Sequence, residues 1–471
     1  MNLKNTLTVG QIDLLRELFD RGSLDSLKHC VRDIDALDYF QTAAIAYALI
    51  AERCLLNIDT GLGKTLIAAG IMNVASTISS SLKWIYICQC SNLRTTAEKL
   101  KRCLYNKNLV YCDSTEEAIL DTFFTLKCRN ADVLVLSYEA VVQPSVEQFL
   151  FTNRASFKGI FLDESQMLSN LTSHTSRLVS AIINSCRYRI LLSATPLRIS
   201  VEQVINQIYM IDRAMFEDVN MQTFLNQFRV WSDRAIIGYR NLEYLQGMLM
   251  PRMLSISRSE LQMRGNYTPM LYTCASALPD TACITEVINY KMLTTSSTMI
   301  RLVALIAEYK KAGKRGIIYA NRNILKQALY DGLKKAGFSV SIMDGSTTNT
   351  QKKKSEVHQK FLNKELEVLI TNITTGKDLP CDYIIFYELT FDYKQMVGRG
   401  ERGLSGSDLD IVFVLTDSLY EMRFFYANVY QRGLLLEKLC GKEMPELHEA
   451  VKQLESKLKA KGLDLTELIQ D

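Results

Sequence analysis

Proline is scarce in this chain, with 7 among 471 residues, and histidine is scarcer, with 4. Together with the lack of any low-complexity block or internal repeat, this argues against long flexible linkers and against a solenoid. His29, His174, His358 and His448 stand in unrelated segments, and of the 12 cysteines only Cys88-Gln89-Cys90 brings two together, so no metal knuckle can be read. The cysteines read instead as reduced thiols filling cores. An uninterrupted apolar stretch is missing too. Between Met1 and Asp20 the leucines are broken by Lys4, Asp13, Arg16 and Glu17, which removes a signal-peptide core, and no run reaches membrane-spanning length. The expected location is therefore intracellular and reducing: the cytoplasm, that of the host if the protein is viral.

An excess of one charge is also lacking. A net charge of +4 is small for this length and cannot by itself establish nucleic-acid binding. Basic clusters do occur at Lys99, Lys101 and Arg102, at Lys310, Lys311, Lys314 and Arg315, and at Lys352 to Lys354. Each reads first as a solvated helix face and only second as a phosphate contact.

What the chain does have is apolar residues, 48% of the total, enough for two or three domains with sizeable cores. Runs rich in isoleucine, valine and leucine recur between helical patterns at Trp84 to Cys88, Val133 to Leu136, Ile160 to Leu162 and Ile190 to Leu192. A second series follows at Gly316 to Tyr319, Ser339 to Met343, Val368 to Thr371, Tyr383 to Phe386 and Ile411 to Leu415. This rhythm predicts two α/β layers with parallel sheets. The stretch between them predicts mainly helix, and Tyr420 to Leu439 and Pro445 to Ile469 predict two further helices.

The most informative stretch is Asp59-Thr60-Gly61-Leu62-Gly63-Lys64-Thr65, which follows the apolar Cys54 to Ile58 and precedes a helical pattern. A strand, a glycine turn and a helix in that order can cradle a triphosphate. Gly61, Leu62 and Gly63 offer backbone N–H groups, Lys64 neutralises the outer phosphates, and Thr65 offers a hydroxyl to Mg²⁺. The strict phosphate-loop pattern has glycine where this chain has Ile58.

Ile160-Phe161-Leu162 runs into Asp163-Glu164-Ser165-Gln166 and places two acids at a strand end. Asp163 can hold Mg²⁺ while Glu164 takes a proton from the attacking water; the plainer reading is a helix cap with an acidic first turn. Leu191-Leu192-Ser193-Ala194-Thr195-Pro196 ends another strand in small hydroxyl residues, and Gln395 to Gly403 carries Arg399 and Arg402 among three glycines. Arginine forks match phosphate geometry, so these two are candidate cations for a transferring phosphoryl group, against the alternative of a surface pair.

In this order the stretches resemble a superfamily 2 helicase or translocase. Lys64 and Thr65 match motif I, Asp163 to Gln166 motif II, Ser193-Ala194-Thr195 motif III, and Gln395, Gly398, Arg399 and Arg402 motif VI. Tyr39-Phe40-Gln41 is similar to the adenine-reading Gln motif. Met343-Asp344-Gly345-Ser346, Thr371-Asn372 with Gly376 and Asp378-Leu379-Pro380, the basic stretch from Arg252 to Arg264, and the helix after Asp417 resemble the Swi/Snf-like group. Gln166 stands where that group usually has histidine.

The resemblance implies an α/β chain of two tandem RecA-like domains, with a helical insertion between them and a C-terminal helical brace. The implied domains are 1–200, 271–418 for the second RecA-like lobe, 201–270 as a mainly helical connector and 419–471 as brace and tail. ATP and Mg²⁺ are the implied cofactors. Lys64, Asp163, Glu164, Gln166, Arg399 and Arg402 are the implied catalytic set, and Gln41, Gly61 to Thr65 and Gln395 would bind nucleotide, with Thr65 and Asp163 at the metal. Ser91, Arg94, Ser137, Thr371 and Asn372 would contact nucleic acid, mostly through phosphate and sugar. A minimal monomeric motor of viral, phage or bacterial type is expected, with no membrane and an unknown loading protein. Duplex-DNA translocation ranks first, strand separation second and RNA unwinding third; a non-hydrolysing DNA-binding scaffold is the alternative of a different class.

Overall fold

The computed structural model describes residues 24–79, 82–112, 130–198, 200–232, 235–261, 266–343, 351–372, 379–390, 393–400, 408–465 and 468, with 11, 13 and 17 near the start. The chain forms two compact units, Met1–Ser257 with Lys438–Lys442, and Arg258–Glu437 with Glu443–Asp471.

The first unit is built on β1 (Arg53–Ile58), β2 (Lys83–Cys88), β3 (Leu109–Cys112), β4 (Val133–Ser137), β5 (Phe157–Asp163) and β6 (Tyr188–Ser193). A small antiparallel hairpin, β7 (Arg229–Ser232) and β8 (Ala235–Tyr239), precedes a last strand, β9 (Met253–Ile256). The sheet order is β3-β4-β2-β5-β6-β1-β9, and every pairing in it is parallel. Parallel strands covered on both faces must be apolar throughout, which is why Trp84 to Cys88 and Ile160 to Leu162 are wholly buried. Trp84 packs its ring between Phe161 and Tyr188, each 5.4 Å away between centroids, and Gly159 leaves the room that ring occupies.

Strand order decides where chemistry can collect. β5, β6 and β1 are neighbours and run the same way, so their carboxyl ends, Asp163, Ser193 and Ile58, open on one edge of the sheet.

The expected connector over 201–270 needs correction. β9 pairs with β1 as the sheet's edge strand, and the chain up to Ser257 belongs to the first unit. Arg252, read as part of a basic joint, is buried with its Nε 2.7 Å from the Asp212 carboxylate. Its charge is consumed inside the fold.

The second unit carries β10 (Tyr267–Cys274), β11 (Gly316–Tyr319), β12 (Val340–Met343), β13 (Val368–Thr371), β14 (Tyr383–Phe386) and β15 (Leu409–Thr416) in the order β10-β15-β14-β11-β13-β12, again all parallel. Helices Ser297–Lys311 and Asn323–Lys335 cover it through Leu302, Leu305, Ile306, Leu325, Leu329 and Leu333. Lys291 is fully buried here, donating to the Tyr387 and Val414 carbonyls at 2.7 and 2.8 Å and to Glu421 at 2.6 Å. Two members of the basic cluster at 310–315 pair with this unit's own acids, Lys310 with Glu367 at 2.7 Å and Lys314 with Asp410 at 2.8 Å, and the Arg315 guanidinium donates to the Phe361 and Leu362 carbonyls.

The helix expected from Tyr420 to Leu439 is interrupted by a π turn, Phe425–Tyr430. The last helix, Pro445–Ala460, stops short of Ile469 because Gly462 turns left-handed at φ +75°. Among the described residues no helix is long and apolar enough to cross a membrane.

Candidate active site

β1 ends at Ile58, and the helix Lys64–Ile78 begins five residues after Asp59 with Gly63 as its N-cap. Gly61 and Gly63 hold φ +83° and +82°, the left-handed region that a Cβ makes costly, so both glycines are required by the turn. Ile58 is different: it is a buried strand residue paired with Ile256, and its φ is not positive. The glycine absent from the strict pattern is not needed there.

Gln41 sits against this loop. Its Nε2 donates to the Leu62 carbonyl at 3.2 Å, its Oε1 accepts from the Asp38 N–H at 3.0 Å, and a Cβ at position 63 would lie 2.6 Å from that Nε2. The amide thus closes the capping box of the helix Tyr39–Ala51 while bracing the loop. Lys64 donates from Nζ to the Ile58 carbonyl at 3.1 Å and folds back over the turn it follows.

On the next-but-one strand, burial first and then the Glu164 charge push the Asp163 carboxyl up to about 6, against the pull of Lys64. Tyr138 donates from its hydroxyl to the Asp163 carbonyl at 2.8 Å and fixes the strand end. Glu164 holds φ +53°, an unusual backbone for a residue with a side chain, at the turn from strand to 3₁₀ helix.

Glu164 is held by its neighbours. Gln166 donates from Nε2 to Glu164 Oε2 at 2.7 Å and accepts on Oε1 from Ser193 Oγ at 2.7 Å. Ser193 Oγ in turn accepts from the Thr195 N–H at 3.0 Å, which leaves its single proton for Gln166 and so fixes which way the amide points. Ser165 adds a second link, donating to Gln207 Oε1 at 2.6 Å, while Gln207 Nε2 reaches the Pro196 carbonyl at 2.7 Å. Gln207 belongs to this network, and a glutamine inside an amphipathic helix gave no sequence signal for it.

The structure brings Gln41, Gly61 to Thr65, Asp163, Glu164 and Gln166 into the first unit. A half-buried carboxylate whose charge is disfavoured by its surroundings and by Glu164 suits a divalent cation, with the hydroxyl of Thr65 in the first turn after the glycines as the matching oxygen donor. Gln395 lies on the helix Tyr393–Gly400 of the second unit. Gly400 on that helix lets it approach β14, since a Cβ would meet Ile384 at 2.7 Å; its closeness serves packing. The Arg399 side chain, Arg402, Gly403, Asp344 to Ser346, Gly376, Asp378 and Arg264 lie outside the described residues.

Two of the expected nucleic-acid contacts are buried and locally bonded. Ser137 is wholly buried, and its hydroxyl accepts from the Ala140 N–H at 3.0 Å as a helix cap. Thr371 is wholly buried as well and donates to the Met343 carbonyl at 2.7 Å. Both hydroxyls bond nearby backbone groups, as short polar side chains at turns can. Ser91 and Arg94 are exposed, just past the end of β2, and Asn372 is partly exposed.

Residues 41–270 match the SNF2-related domain, and residues 297–403 match the helicase conserved C-terminal domain. No curated protein matches the sequence. Among solved structures the chain is similar to a Sulfolobus solfataricus SWI2/SNF2 ATPase core in complex with dsDNA, at 14% identity and a TM-score of 0.42, covering 88% of this chain and 96% of that one.

Proposed function

The chain belongs to the Swi/Snf-like superfamily 2 helicases and translocases, ATP-hydrolysing enzymes, and from that premise we propose that it moves along duplex DNA driven by ATP hydrolysis. The observation that carries this reading is the chain of hydrogen bonds from Ser193 through Gln166 to Glu164, beside the glycine loop that ends in Lys64. It aims a carboxylate from a rigid turn, as deprotonation of a water demands.

In this reading the loop from Gly61 to Thr65 binds the phosphates through its N–H groups, and Lys64 leaves the Ile58 carbonyl to neutralise them. Mg²⁺, when bound, would be held by Thr65 and Asp163 and would lower the charge repulsion around the phosphates. Glu164 takes the proton from water. Gln395, Arg399 and Arg402 are the second domain's proposed contribution to nucleotide binding and phosphoryl charge. Exposed Ser91 and Arg94, with Asn372, are the proposed phosphate and sugar contacts, so binding should weaken steeply with salt and show little sequence preference.

ATP turnover measured in parallel with duplex DNA, single-stranded DNA and RNA tests this, followed by triplex-displacement and duplex-unwinding assays. Stimulation by duplex and displacement of a triplex strand without unwinding is the expected pattern. Stimulation by RNA alone would overturn the DNA assignment, and unwinding would make the protein a helicase. Glu164→Gln should bind ATP and lose most turnover.

A further inference from the structure

The chain enters the first unit a second time, far from its first passage. Residues up to Glu437 and from Glu443 onward belong to the second unit, while the five residues Lys438–Lys442 belong to the first. The two ends of this excursion are clasped together, because Glu437 Oε1 accepts from the Met444 N–H at 2.5 Å and Glu437 Oε2 lies 3.0 Å from His448 Nε2. Leu439 and Cys440 are buried, and Gly441 turns the backbone left-handed at φ +65°.

Lys442 follows, with no exposed surface at all. Its Nζ donates to the Ala194 carbonyl at 2.8 Å and pairs with Asp59 Oδ1 at 2.9 Å. Asp59 is the residue between β1 and the glycine turn: its N–H donates to the Ile256 carbonyl at 3.1 Å, and its carbonyl accepts from the Leu62 N–H at 3.4 Å. Ala194 lies between Ser193, which orients Gln166, and Thr195. One buried ammonium therefore touches the start of the phosphate loop and the turn behind Glu164.

Burying an ammonium is costly, and an apolar side chain of similar length would hold a loop in a core without that desolvation. The cation is placed where it joins two loops that both have to keep their shape. We propose that Lys442 is a positioning residue of the ATPase, pinning Asp59 to the Ala194 turn, so that the nucleotide cradle of the N-terminal domain is completed by a segment from the C-terminal end of the chain. This rests on Gly61 to Thr65 being the ATP cradle. A loop held in its bound shape binds more tightly than one that must be ordered by the ligand.

The test uses the full chain carrying Lys442→Met, Asp59→Asn, or both, with KM for ATP, kcat and direct binding of a fluorescent ATP analogue measured well below each variant's melting temperature. Each single variant is expected to raise KM and the dissociation constant by at least about 5-fold while kcat falls less than about 3-fold, and the double variant should be no worse than the poorer single. A lysine that only anchors the chain would lower the melting temperature and leave KM alone, and that result overturns the proposal. Additive effects of the two substitutions would overturn it as well. Should Lys442→Met fail to fold, Asp59→Asn with a wild-type KM is sufficient to reject it. A wild-type protein that binds no ATP would remove the cradle reading itself, a failure separate from any result in which wild type binds and the variants match it.

Discussion

Ser193 donates its hydroxyl proton to Gln166 Oε1 at 2.7 Å, and that one bond decides that Gln166 Nε2 points to Glu164. Two consecutive strands, neighbours in the sheet, are joined through it at their carboxyl ends, the end of β6 holding the acid at the end of β5. Gln166→Leu and Ser193→Ala are each expected to lower kcat about 10-fold with KM for ATP changed less than about 2-fold, since each releases the proposed base, Glu164, without touching the proposed phosphate loop. The double variant should be close to the worse single one. Steady-state kinetics on the three variants checks this, and a rise in KM alone would contradict it.

As the proposed metal ligand, Asp163 sets stability against activity. Burial and the Glu164 charge raise its carboxyl to about 6 in the folded protein, above its ordinary 3.8. A raised acid binds its proton more tightly when folded, so stability falls as pH rises through that window and the penalty stays in force at higher pH. Asp163→Asn is therefore expected to melt higher than wild type at pH 7.5, by an amount of order 1–3 kcal/mol, and to match it near pH 4. Thermal melts without nucleotide or divalent cation read this out. The same variant should lose ATP turnover.

Gly159 faces the Trp84 ring so closely that a Cβ there would lie 2.1 Å from it. Trp84 is wholly buried between Phe161 and Tyr188 and has nowhere to go. Gly159→Ala should cost about 1–3 kcal/mol or more, whereas Gly238→Ala, with nothing within 4 Å of the added atom, should stay within about 0.5 kcal/mol of wild type. Denaturant midpoints of the two variants measure the contrast.

Lys291 carries three buried bonds in the second unit, to Glu421 and to the Tyr387 and Val414 carbonyls. Lys291→Met strands the Glu421 charge and is expected to destabilise the unit by about 3–5 kcal/mol, with part of the loss recovered in Lys291→Met/Glu421→Gln. Chemical denaturation checks both, and equal stability of the two variants would show that the charge itself was not the cause.

The sequence by itself determined the alternation of apolar strands with helices, the glycine turn ending in Lys64 and Thr65, and the acids at the end of β5. Those are local: strand burial, left-handed glycines and strand-end placement all follow from residues near one another in the chain. Position 58 shows where local pattern misleads, because a glycine is demanded only where φ is positive, and Ile58 is plain strand. Ser137 and Thr371 carry no local sign in the sequence that they are buried, Ser137 capping a helix and Thr371 donating to the Met343 carbonyl. Only the tertiary structure could decide that β9 closes the edge beside β1, that Gln166 bridges Ser193 and Glu164, and that Lys442 reaches Asp59. Each depends on strand order or on a chain segment returning over a long separation, and no periodicity or spacing encodes which distant side chain will fill a buried charge.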